Sequence, residues 1–432
     1  MKIDELKEKA NQLRKEMNFS AAEELYRDII AKSGKNVSLW DEWGLAYCLY
    51  KQQKYSESLI LCEKVHIADE TFEPVISLLG WNLYNLYVKD SKDKHKDNFF
   101  SSVNRIISLF EQDDEFSPLV LTIFKAIDML NKQDPIPYEK IINYLLLLHP
   151  ENLDNKKSSY KGKRGVVIEL PSQKEKYYTN YVKALRATNR NEDAIKECDK
   201  ALSTLEEPSI KTKNWFLKNK ALAIAEQSNY QEALNILLGL GDDWSVLLVI
   251  AEIYEKIFDY KKSLQYAVKC ALVKIDPSLK IKCYLLICRL LNTLGLKNEI
   301  RGHINLIQLI YTKHKWRLSD EIKHLMAEHK VDPITKGSIE MEYDRLTSFW
   351  EKYQSESQEQ YSGIISKTFP EKSYGFINSN NVDYFFVFKD FKADKKQLKI
   401  GTRVYFNLVE SFNKKKDAMS KNAVNIIIEK KL

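Results

Sequence analysis

The segment KSYGFINSNNVDYFFVF, residues 372–388, differs in character from most of the chain that precedes it. It holds six aromatic residues in two short runs, and an Asn-rich turn joins the runs. Aromatic and β-branched residues in short runs around such a turn are typical of β-strands. The preceding residues instead repeat Leu, Ala, Glu and Lys at three- and four-residue spacing, which is typical of helices. The sequence therefore predicts a helical body followed by a β-rich C-terminal part.

The predicted β-rich part extends from Tyr361 to the C-terminus. Short runs of β-branched and aromatic residues alternate there with polar turns. Five such runs suit a small closed barrel of the OB type. The predicted strands are YSGIISKTF (361–369), SYGFIN (373–378), DYFFVF (383–388), RVYFNLVE (403–410) and KNAVNIII (421–428).

The excess positive charge of the chain lies in the same C-terminal part. The whole chain has 67 Lys+Arg and 60 Asp+Glu, a net charge of +7. Residues 361–432 contain 14 Lys+Arg and 7 Asp+Glu, so they account for all of this excess and residues 1–360 are balanced. Because charge distribution speaks to partners rather than to fold, a basic module points to an anionic partner.

The number of rings also exceeds what one barrel core needs. Side chains on a strand alternate between its two faces, so Tyr374 and Phe376 share one face, and Phe386 and Phe388 share one. Phe385 then points away from Phe386, unless a bulge intervenes. Surplus rings surrounded by lysines predict an external platform on which bases stack.

Five blocks in the right order make the C-terminal part resemble a cold-shock domain over about residues 360–428. The matching blocks are Gly363 with Ile365 at the start of the first strand, KSYGFI (372–377) for K-G-F-G-F-I, DYFFV (383–387) for D-[VI]-F-[VF]-H, GTRVYF (401–406) for G-x-x-V-x-F and NAVNI (422–426) for A-x-N-V.

The resemblance implies a set of nucleic-acid contacts. On the family pattern four rings stack on unpaired bases, strand bending brings Phe385 to the binding face, and Lys372 contacts a phosphate. Three further lysines in the loop before the last strand add phosphate contacts. The candidate nucleic-acid-binding residues are Lys372, Tyr374, Phe376, Phe385, Phe388, Lys367, Lys414, Lys415 and Lys416.

The chain departs from the cold-shock pattern at several positions. Lys367 and Thr368 stand where the family usually has Trp and Phe, although Phe369 is adjacent. Val387 replaces the family's His, and Ser373 replaces a Gly. These departures predict a weaker platform with little base discrimination, and they leave open a barrel that is kept for protein contacts.

The helical body shows a loose two-helix repeat. In LWDEWGLAYCLYKQQKYSESLILCEKV (39–65), Trp40, Trp43, Gly44 and Tyr47 mark a first helix, and a second helix follows. The second-helix spacing recurs in about five units, which resemble the tetratricopeptide repeat family. The resemblance implies an α-solenoid whose groove holds a protein partner, with the motif residues forming the core. The units concerned carry Phe19 to Ile29, Tyr55 to Val65, Ala194 to Ala201, Tyr230 to Leu237 and Tyr260 to Cys270.

The repeat is poor at about residues 85–170, where two polar stretches interrupt it. The second stretch holds a basic run that is compatible with phosphate contact or with a solvated loop. QSESQEQ, at residues 354–360, has no apolar residue and predicts a linker. We therefore expect domains at 1–353 and 361–432. The basic run consists of Lys156, Lys157, Lys161, Lys163 and Arg164.

Other classes of protein find no support in the sequence. Six cysteines without a CxxC pair predict buried thiols. No catalytic motif, cofactor-binding motif or metal-ligand cluster is present, so we expect no catalytic residues, no cofactor and no metal. The charged N-terminal helix excludes a signal peptide, and no apolar run is long enough for a membrane span, which favours the cytoplasm.

The leading functional hypothesis is a non-enzymatic adapter in which the barrel holds single-stranded RNA or DNA and the helical array holds a protein. A pure protein scaffold whose barrel no longer binds nucleic acid is the first alternative. A non-catalytic accessory subunit of a nucleic-acid-processing or defence complex is the second. RNA versus DNA, base preference, partner identity and oligomeric state stay open.

Overall fold

The protein combines a long helical array with a C-terminal β-barrel, which confirms the predicted fold class. Contacts divide the chain into two units, Met1–Glu207 and Pro208–Leu432. The computed structural model describes residues 2–90, 96–113, 116–162, 165–334, 337–356, 360–394, 397–413 and 418–429.

The first unit contains ten helices and a two-stranded hairpin among its described residues. The helices are α1 (Ile3–Lys15), α2 (Phe19–Ser33), α3 (Leu39–Lys51), α4 (Tyr55–Ala68), α5 (Glu73–Leu83), α6 (Lys96–Leu109), α7 (Leu119–Leu130), α8 (Tyr138–Leu145), α9 (Gln173–Ala187) and α10 (Asn191–Thr204). The strands are β1 (Ser158–Lys161) and β2 (Val167–Leu170).

The second unit contains eight described helices and the barrel strands. The helices are α11 (Ile210–Glu226), α12 (Tyr230–Leu238), α13 (Trp244–Lys256), α14 (Tyr260–Leu272), α15 (Ile281–Thr293), α16 (Ile300–His314), α17 (Asp320–Glu328) and α18 (Ile339–Glu356). The strands are β3 (Gln360–Phe369), β4 (Tyr374–Ser379), β5 (Val382–Val387), β6 (Arg403–Asn413) and β7 (Ala418–Ile428).

One turn geometry recurs inside five helix pairs. The two helices of each pair are separated by three residues, and the middle residue has a positive φ, which ends the first helix in a left-handed conformation. Identical turns give each pair the same antiparallel arrangement, as a repeat requires. The left-handed residues are Met17 (60°), Gln53 (62°), Asn189 (58°), Ser228 (65°) and Phe258 (61°).

The predicted repeat positions also make equivalent contacts in different pairs. The Ser58 hydroxyl of α4 donates to the Ala46 carbonyl of α3 at 2.8 Å. Twelve residues likewise separate Ser263 of α14 from Ala251 of α13, and this hydroxyl–carbonyl distance is again 2.8 Å. A small residue at this position lets two helix backbones approach closely. The spacing read from the sequence therefore marks the contacts between paired helices.

Most of the predicted core positions of the repeat are buried, and Trp40 is the main exception. Trp40 is 58% exposed, and its ring lies at right angles to that of Phe72, with centroids 4.8 Å apart. Glycine is required at position 44, because a Cβ there would lie 2.5 Å from the Tyr26 ring. All six cysteines are free and buried, as predicted.

The regular pairing of helices is interrupted after α5. A π-helical turn, Tyr84–Val88, follows α5, and the next helices lack the repeated turn. The stretch around Tyr160, predicted as a polar loop, instead contains β1 and β2 in antiparallel register. The correction has a simple cause: the short run VVIEL within this basic stretch is rich in β-branched and aliphatic residues, which favour a strand.

Helix α18 belongs to the core of the helical array. Trp350 is fully buried, and its indole N–H donates to Nε2 of His303 on α16 at 2.9 Å. The helix continues to Glu356, and β3 begins at Gln360. Both ends of the predicted linker thus lie in regular elements, and residues 357–359 lie outside the described residues. Independent folding of residues 1–353 and 361–432 stays a prediction.

The five C-terminal strands close into a barrel with the order β3-β4-β5-β7-β6. The pairs β3–β4, β4–β5, β6–β7 and β3–β6 are antiparallel, and β5 pairs with β7 in parallel. The strands agree with the predicted ones to within a few residues. The core of the barrel is formed by Ile365, Ile377, Phe386, Phe391, Val404, Phe406, Ala423 and Ile426.

Two local features shape the hairpin formed by β4 and β5. Asn380 and Asn381 have φ values of 50° and 64°, which is the geometry of a two-residue type I′ turn. Gly375 faces the interior, where a Cβ would lie 2.6 Å from the Lys367 carbonyl and 2.7 Å from the Phe386 ring. The Asn-rich turn therefore forms a tight connection, and this glycine lets the Lys367 carbonyl and the Phe386 ring approach β4 closely.

Within the described ranges, no helix combines the length and the apolar character needed to cross a bilayer. The same ranges contain no group of three or more His, Cys, Asp or Glu side chains placed to hold a metal ion.

Candidate nucleic-acid interface

The candidate interface is the outer face of β3, β4 and β5. The register pairs Lys367 with Phe376 and Phe376 with Phe385, so these three side chains form one row across the strands. A second row joins Phe369 of β3 to Tyr374 of β4. Directly paired residues project from the same face of a sheet. Two rows of side chains thus cover the surface opposite the barrel core.

Four rings on this face form a continuous cluster, which we call the ring cluster: Phe369, Tyr374, Phe376 and Phe385. The Tyr374 ring lies 4.9 Å from that of Phe369, 5.4 Å from that of Phe385 and 6.0 Å from that of Phe376. Phe376 and Phe385 are 5.9 Å apart. Each ring therefore touches at least two others, and the cluster forms one aromatic surface.

The ring cluster is exposed to solvent in part and is separate from the barrel core. Phe369 is 40% exposed, and the other three rings are half-buried. None of the four belongs to the core. The ring cluster thus lies outside the barrel core and keeps part of its surface in contact with solvent.

Phe385 reaches the ring cluster without any strand distortion. The pairing of β4 with β5 is regular, and it places Phe385 directly opposite Phe376. The next residue, Phe386, points inward and is 1% exposed. The strand bending that the cold-shock resemblance implied for Phe385 is therefore not needed, because ordinary alternation along β5 already points Phe385 and Phe386 to opposite faces.

Phe388 does not join the ring cluster. Its ring lies 6.0 Å from that of Phe386, and it packs against the barrel core. The structure therefore brings together three of the four rings that the sequence singled out. Phe369, which the sequence analysis noted only as a neighbour, completes the cluster. Its position two residues after Lys367 on the same strand is the signal that identifies it.

Lys372 lies in the chain between two members of the ring cluster, Phe369 and Tyr374. It ends a short 3-10 turn, Pro370–Lys372, and its side chain is exposed. Ser373 follows with a φ of 54°, a conformation that glycine adopts more readily. The serine departure from the cold-shock pattern therefore falls at a position whose backbone favours glycine. Lys372 makes no ion pair with any residue that the structure describes.

Lys367 is placed in the first row but has a carboxylate beside it. Its Nζ lies 3.6 Å from Oδ2 of Asp383, and both side chains are well exposed. A hydrogen bond from the Asn378 amide, at 2.8 Å, is the main cause that lowers the pKa of Asp383, with Ser366 and Lys367 contributing. The positive charge of Lys367 is thus partly offset at this end of the interface.

The remaining candidate residues, Lys414, Lys415 and Lys416, lie outside the described residues. β6 ends at Asn413 and β7 begins at Ala418, so the three lysines belong to the connection between these strands. Their role in phosphate contact stays a prediction.

Known proteins were compared with the chain in three ways. No protein-family profile matches it, and no curated protein matches it. The structure of Naa15/Naa10 bound to HypK-THB matches 83% of this chain with a TM-score of 0.44 and 14% identity. The match covers 51% of that chain, so this protein spans about half its length.

A tetratricopeptide repeat protein from Parabacteroides merdae ATCC 43184 also matches. The match covers 67% of this chain and 98% of that chain, with a TM-score of 0.30 and 11% identity. Both TM-scores are below 0.5.

Proposed function

We propose that this protein is a non-enzymatic adapter that binds single-stranded RNA or DNA through its barrel and a protein partner through its helical array. The barrel acts in the manner of a cold-shock domain, and the protein acts in the cytoplasm. The observation that carries the proposal is the ring cluster, which lies outside a barrel core that is complete without it.

Physical chemistry supports base stacking on this surface. Aromatic side chains next to a basic groove bind single strands because every base has a flat face that stacks on a ring. Stacking contributes about 1–3 kcal/mol per base, whatever the base. A surface made of rings therefore favours binding with little base discrimination. Lys372, beside the cluster, is available to a phosphate.

The strand order supports the same proposal. Numbered within the barrel, the strands run 1-2-3-5-4, and strand 4 closes on strand 1. OB-folds bind oligonucleotides on the face of strands 2 and 3, here β4 and β5, and with the loops after strands 1 and 4. Three of the clustered rings lie on β4 and β5, and Lys372 lies in the connection after strand 1.

Charge adds a third argument. Residues 361–432 carry the whole net charge of +7, and such a field attracts a polyanion over several ångströms. Phosphate contacts release counterions, so nucleic-acid binding must weaken as salt rises. A barrel that contacts only protein has no such requirement.

The helical array supplies the second half of the proposed function. Stacked helix pairs present extended surfaces, which repeat proteins use to bind other proteins. Balanced charge over residues 1–360 gives this part no general attraction for nucleic acid. The two halves of the adapter thus differ in the chemistry that they offer.

A titration of the full-length protein with labelled oligo-U and oligo-dT tests the proposal. Fluorescence anisotropy at low and high salt is expected to show binding that weakens with salt. Duplex of the same length is expected to bind more weakly, because stacking needs splayed bases. If the folded protein binds no single strand at low ionic strength, the nucleic-acid half is wrong and the protein is a scaffold.

A further inference from the structure

The β1–β2 hairpin has one apolar face that stays well exposed among the residues that the structure describes. The register places Tyr160 opposite Ile168 and Ser158 opposite Leu170, so Tyr160, Ile168 and Leu170 project from one face. Their exposed fractions are 51%, 40% and 39%. Ser159, Lys161, Glu169 and a single apolar residue, Val167, project from the other face, which is therefore the more polar one. The hairpin is therefore amphipathic, and its apolar side is in water.

The base of the hairpin is held firmly while its strands are exposed. The Asn155 amide donates to the Thr204 carbonyl at 2.9 Å, and the Lys174 N–H donates to the Asp154 carbonyl at 3.1 Å. All eight residues of β1 and β2 are exposed, and among the described residues no third strand pairs with them. A two-stranded ribbon alone is marginal in water, and a third strand stabilises it.

The backbone pattern shows which groups a third strand meets. The Gly162 N–H donates to the Val166 carbonyl at 2.9 Å, so these two residues form a hydrogen-bonded pair. Bonded and non-bonded pairs alternate along an antiparallel ladder. The N–H and C=O groups of Val167 and Glu169 therefore point to the outer edge of β2. The same alternation directs those of Ser159 to the outer edge of β1.

The composition of the hairpin indicates the chemistry of the partner. Residues 156–170 contain five basic residues and a single acidic one, Glu169, whose carboxylate lies 3.9 Å from Lys157 Nζ. This net positive charge favours an acidic partner. The exposed apolar residues of β2 are aliphatic, and Tyr160 is the only ring, so the surface suits a protein strand better than stacked bases.

We propose that the outer edge of β2 accepts an extended segment of an acidic partner protein, in which aliphatic residues alternate with Asp or Glu. The added strand pairs with the backbone of Val167 and Glu169, and its aliphatic side chains extend the apolar face beside Ile168 and Leu170. This inference rests on the proposed protein-binding role of the helical array, and it adds a place and a partner class.

Labelled peptides test the inference on the full-length protein by fluorescence anisotropy. The probe is an octapeptide that alternates Val with Glu, and its control alternates Val with Lys. The Val/Glu peptide is expected to bind, and the Val/Lys peptide is not. On binding, the amides of Val167 and Glu169 are expected to exchange hydrogen more slowly.

Two proline variants identify the edge. Val167→Pro removes an outward N–H from β2, and Ser159→Pro removes the equivalent group from β1, and neither removes a bond within the hairpin. Val167→Pro is expected to weaken Val/Glu binding about tenfold, which corresponds to one net hydrogen bond. Ser159→Pro is expected to leave it unchanged. Equal loss in both variants, or in neither, overturns the assignment to β2.

A charge variant tests the inference without altering the strand edge. Changing Lys156, Lys157 and Lys161 to Gln is expected to lower the affinity for the Val/Glu peptide. The affinity that remains should also depend less on salt concentration. If this variant instead lowers oligo-U affinity and leaves the peptide unaffected, the hairpin contacts nucleic acid. If the Val/Glu peptide fails to bind at millimolar concentration while a native protein partner still co-purifies after nuclease treatment, this inference fails and the proposed adapter function stands.

Discussion

Two aromatic clusters of similar internal geometry lie in opposite surroundings. Trp350 of the helical array has three ring neighbours with centroids 5.3–5.9 Å away, and Tyr374 of the barrel has three at 4.9–6.0 Å. Trp350 is fully buried, whereas every ring around Tyr374 keeps some exposure. Ring spacing therefore does not distinguish a buried core cluster from a cluster that faces solvent, whereas burial does.

The polar side chains near the two clusters also differ in burial: those near Trp350 are buried, and those near Tyr374 are exposed. Near Trp350, the buried Lys280 ammonium donates to the Val273 carbonyl at 2.8 Å and to the Tyr343 hydroxyl at 3.0 Å. Burial lowers the pKa of Lys280. In the barrel the nearest lysines are exposed and remain accessible to a ligand. Buried polar groups need partners within the protein, and exposed ones can take partners from outside.

The largest expected effect is the loss of the buried indole. Trp350→Ala should lower the free energy of unfolding by about 3–5 kcal/mol, since it removes a fully buried ring and takes away the hydrogen-bond donor to Nε2 of His303. Denaturant unfolding followed by circular dichroism measures the change. Trp316→Ala is the matched control, because Trp316 is 47% exposed, and it should change stability little. Similar losses in both variants would remove the contrast drawn here.

The pH dependence of stability gives the next effect. Burial, together with the charge of Arg345, lowers the pKa of His303 to about 4 in the folded protein. The ordinary value is about 6.5, so between these values the unfolded chain binds more protons and stability falls as the pH decreases, by about 1.4 kcal/mol per pH unit. Urea midpoints from pH 7 to pH 4 measure this trend.

His303→Gln provides the control for the pH experiment. The variant should be less stable at pH 7, because the bond to Trp350 is altered. Its stability should nevertheless depend less on pH between 6.5 and 4, since the titrating group is gone. An unchanged slope would show that another group causes the dependence.

Substitutions in the ring cluster should reduce binding more than stability, which is the reverse of what is expected for Trp350. Tyr374→Ala and Phe385→Ala should each weaken single-strand binding by about 1–3 kcal/mol, because each removes a stacking surface. Stability should change less. Phe386→Ala, one position from Phe385, should instead destabilise the barrel by about 3–5 kcal/mol. Melting and oligo-U binding are to be measured on the same samples.

The comparison between Phe385 and Phe386 is decisive because the two residues are chemically identical neighbours. If Phe385→Ala unfolds the barrel as readily as Phe386→Ala, the ring cluster is structural and the stacking proposal is wrong.

Charge beside the rings should have a smaller effect, visible mainly in the salt dependence. Lys372→Gln should flatten the dependence of log K on log salt by about 0.7, the value for one lost phosphate contact on a single strand. Lys9→Gln in α1 makes the same change of charge in the helical array. If it alters the slope as much as Lys372→Gln does, net charge alone accounts for the effect.

The smallest effect concerns the turn that leads into the ring cluster. Ser373→Gly should stabilise the barrel by about 1 kcal/mol or less, because a left-handed backbone is costly for residues with a Cβ. Thermal melts of the full-length protein measure the gain. Ser362→Gly, in the regularly paired part of β3, should destabilise instead. Destabilisation by Ser373→Gly would mean that the serine side chain supports the turn.

Much of this architecture could be read from local sequence patterns. Helix pairs, their close contacts at Ser58 and Ser263, the five barrel strands and the Asn380–Asn381 turn depend on interactions between residues near in sequence, and periodicity reports such interactions directly. Strand alternation likewise indicated that Phe385 and Phe386 point to opposite faces, although the cold-shock resemblance added a bend that the structure does not have. These features needed little information from distant parts of the chain.

Other features depended on tertiary packing. The exposure of Trp40, the separation of Phe388 from the ring cluster and the inclusion of Phe369 follow from which elements meet in space. Tertiary packing also decides that Lys367 pairs with Asp383 and that the apolar face of the β1–β2 hairpin stays exposed. Composition and spacing indicate which interactions a side chain can make, whereas the surrounding elements decide whether the side chain is buried in a core or exposed at the surface. Burial at these positions depends on distant segments that folding brings together, and so the folded chain decides which of these side chains are exposed.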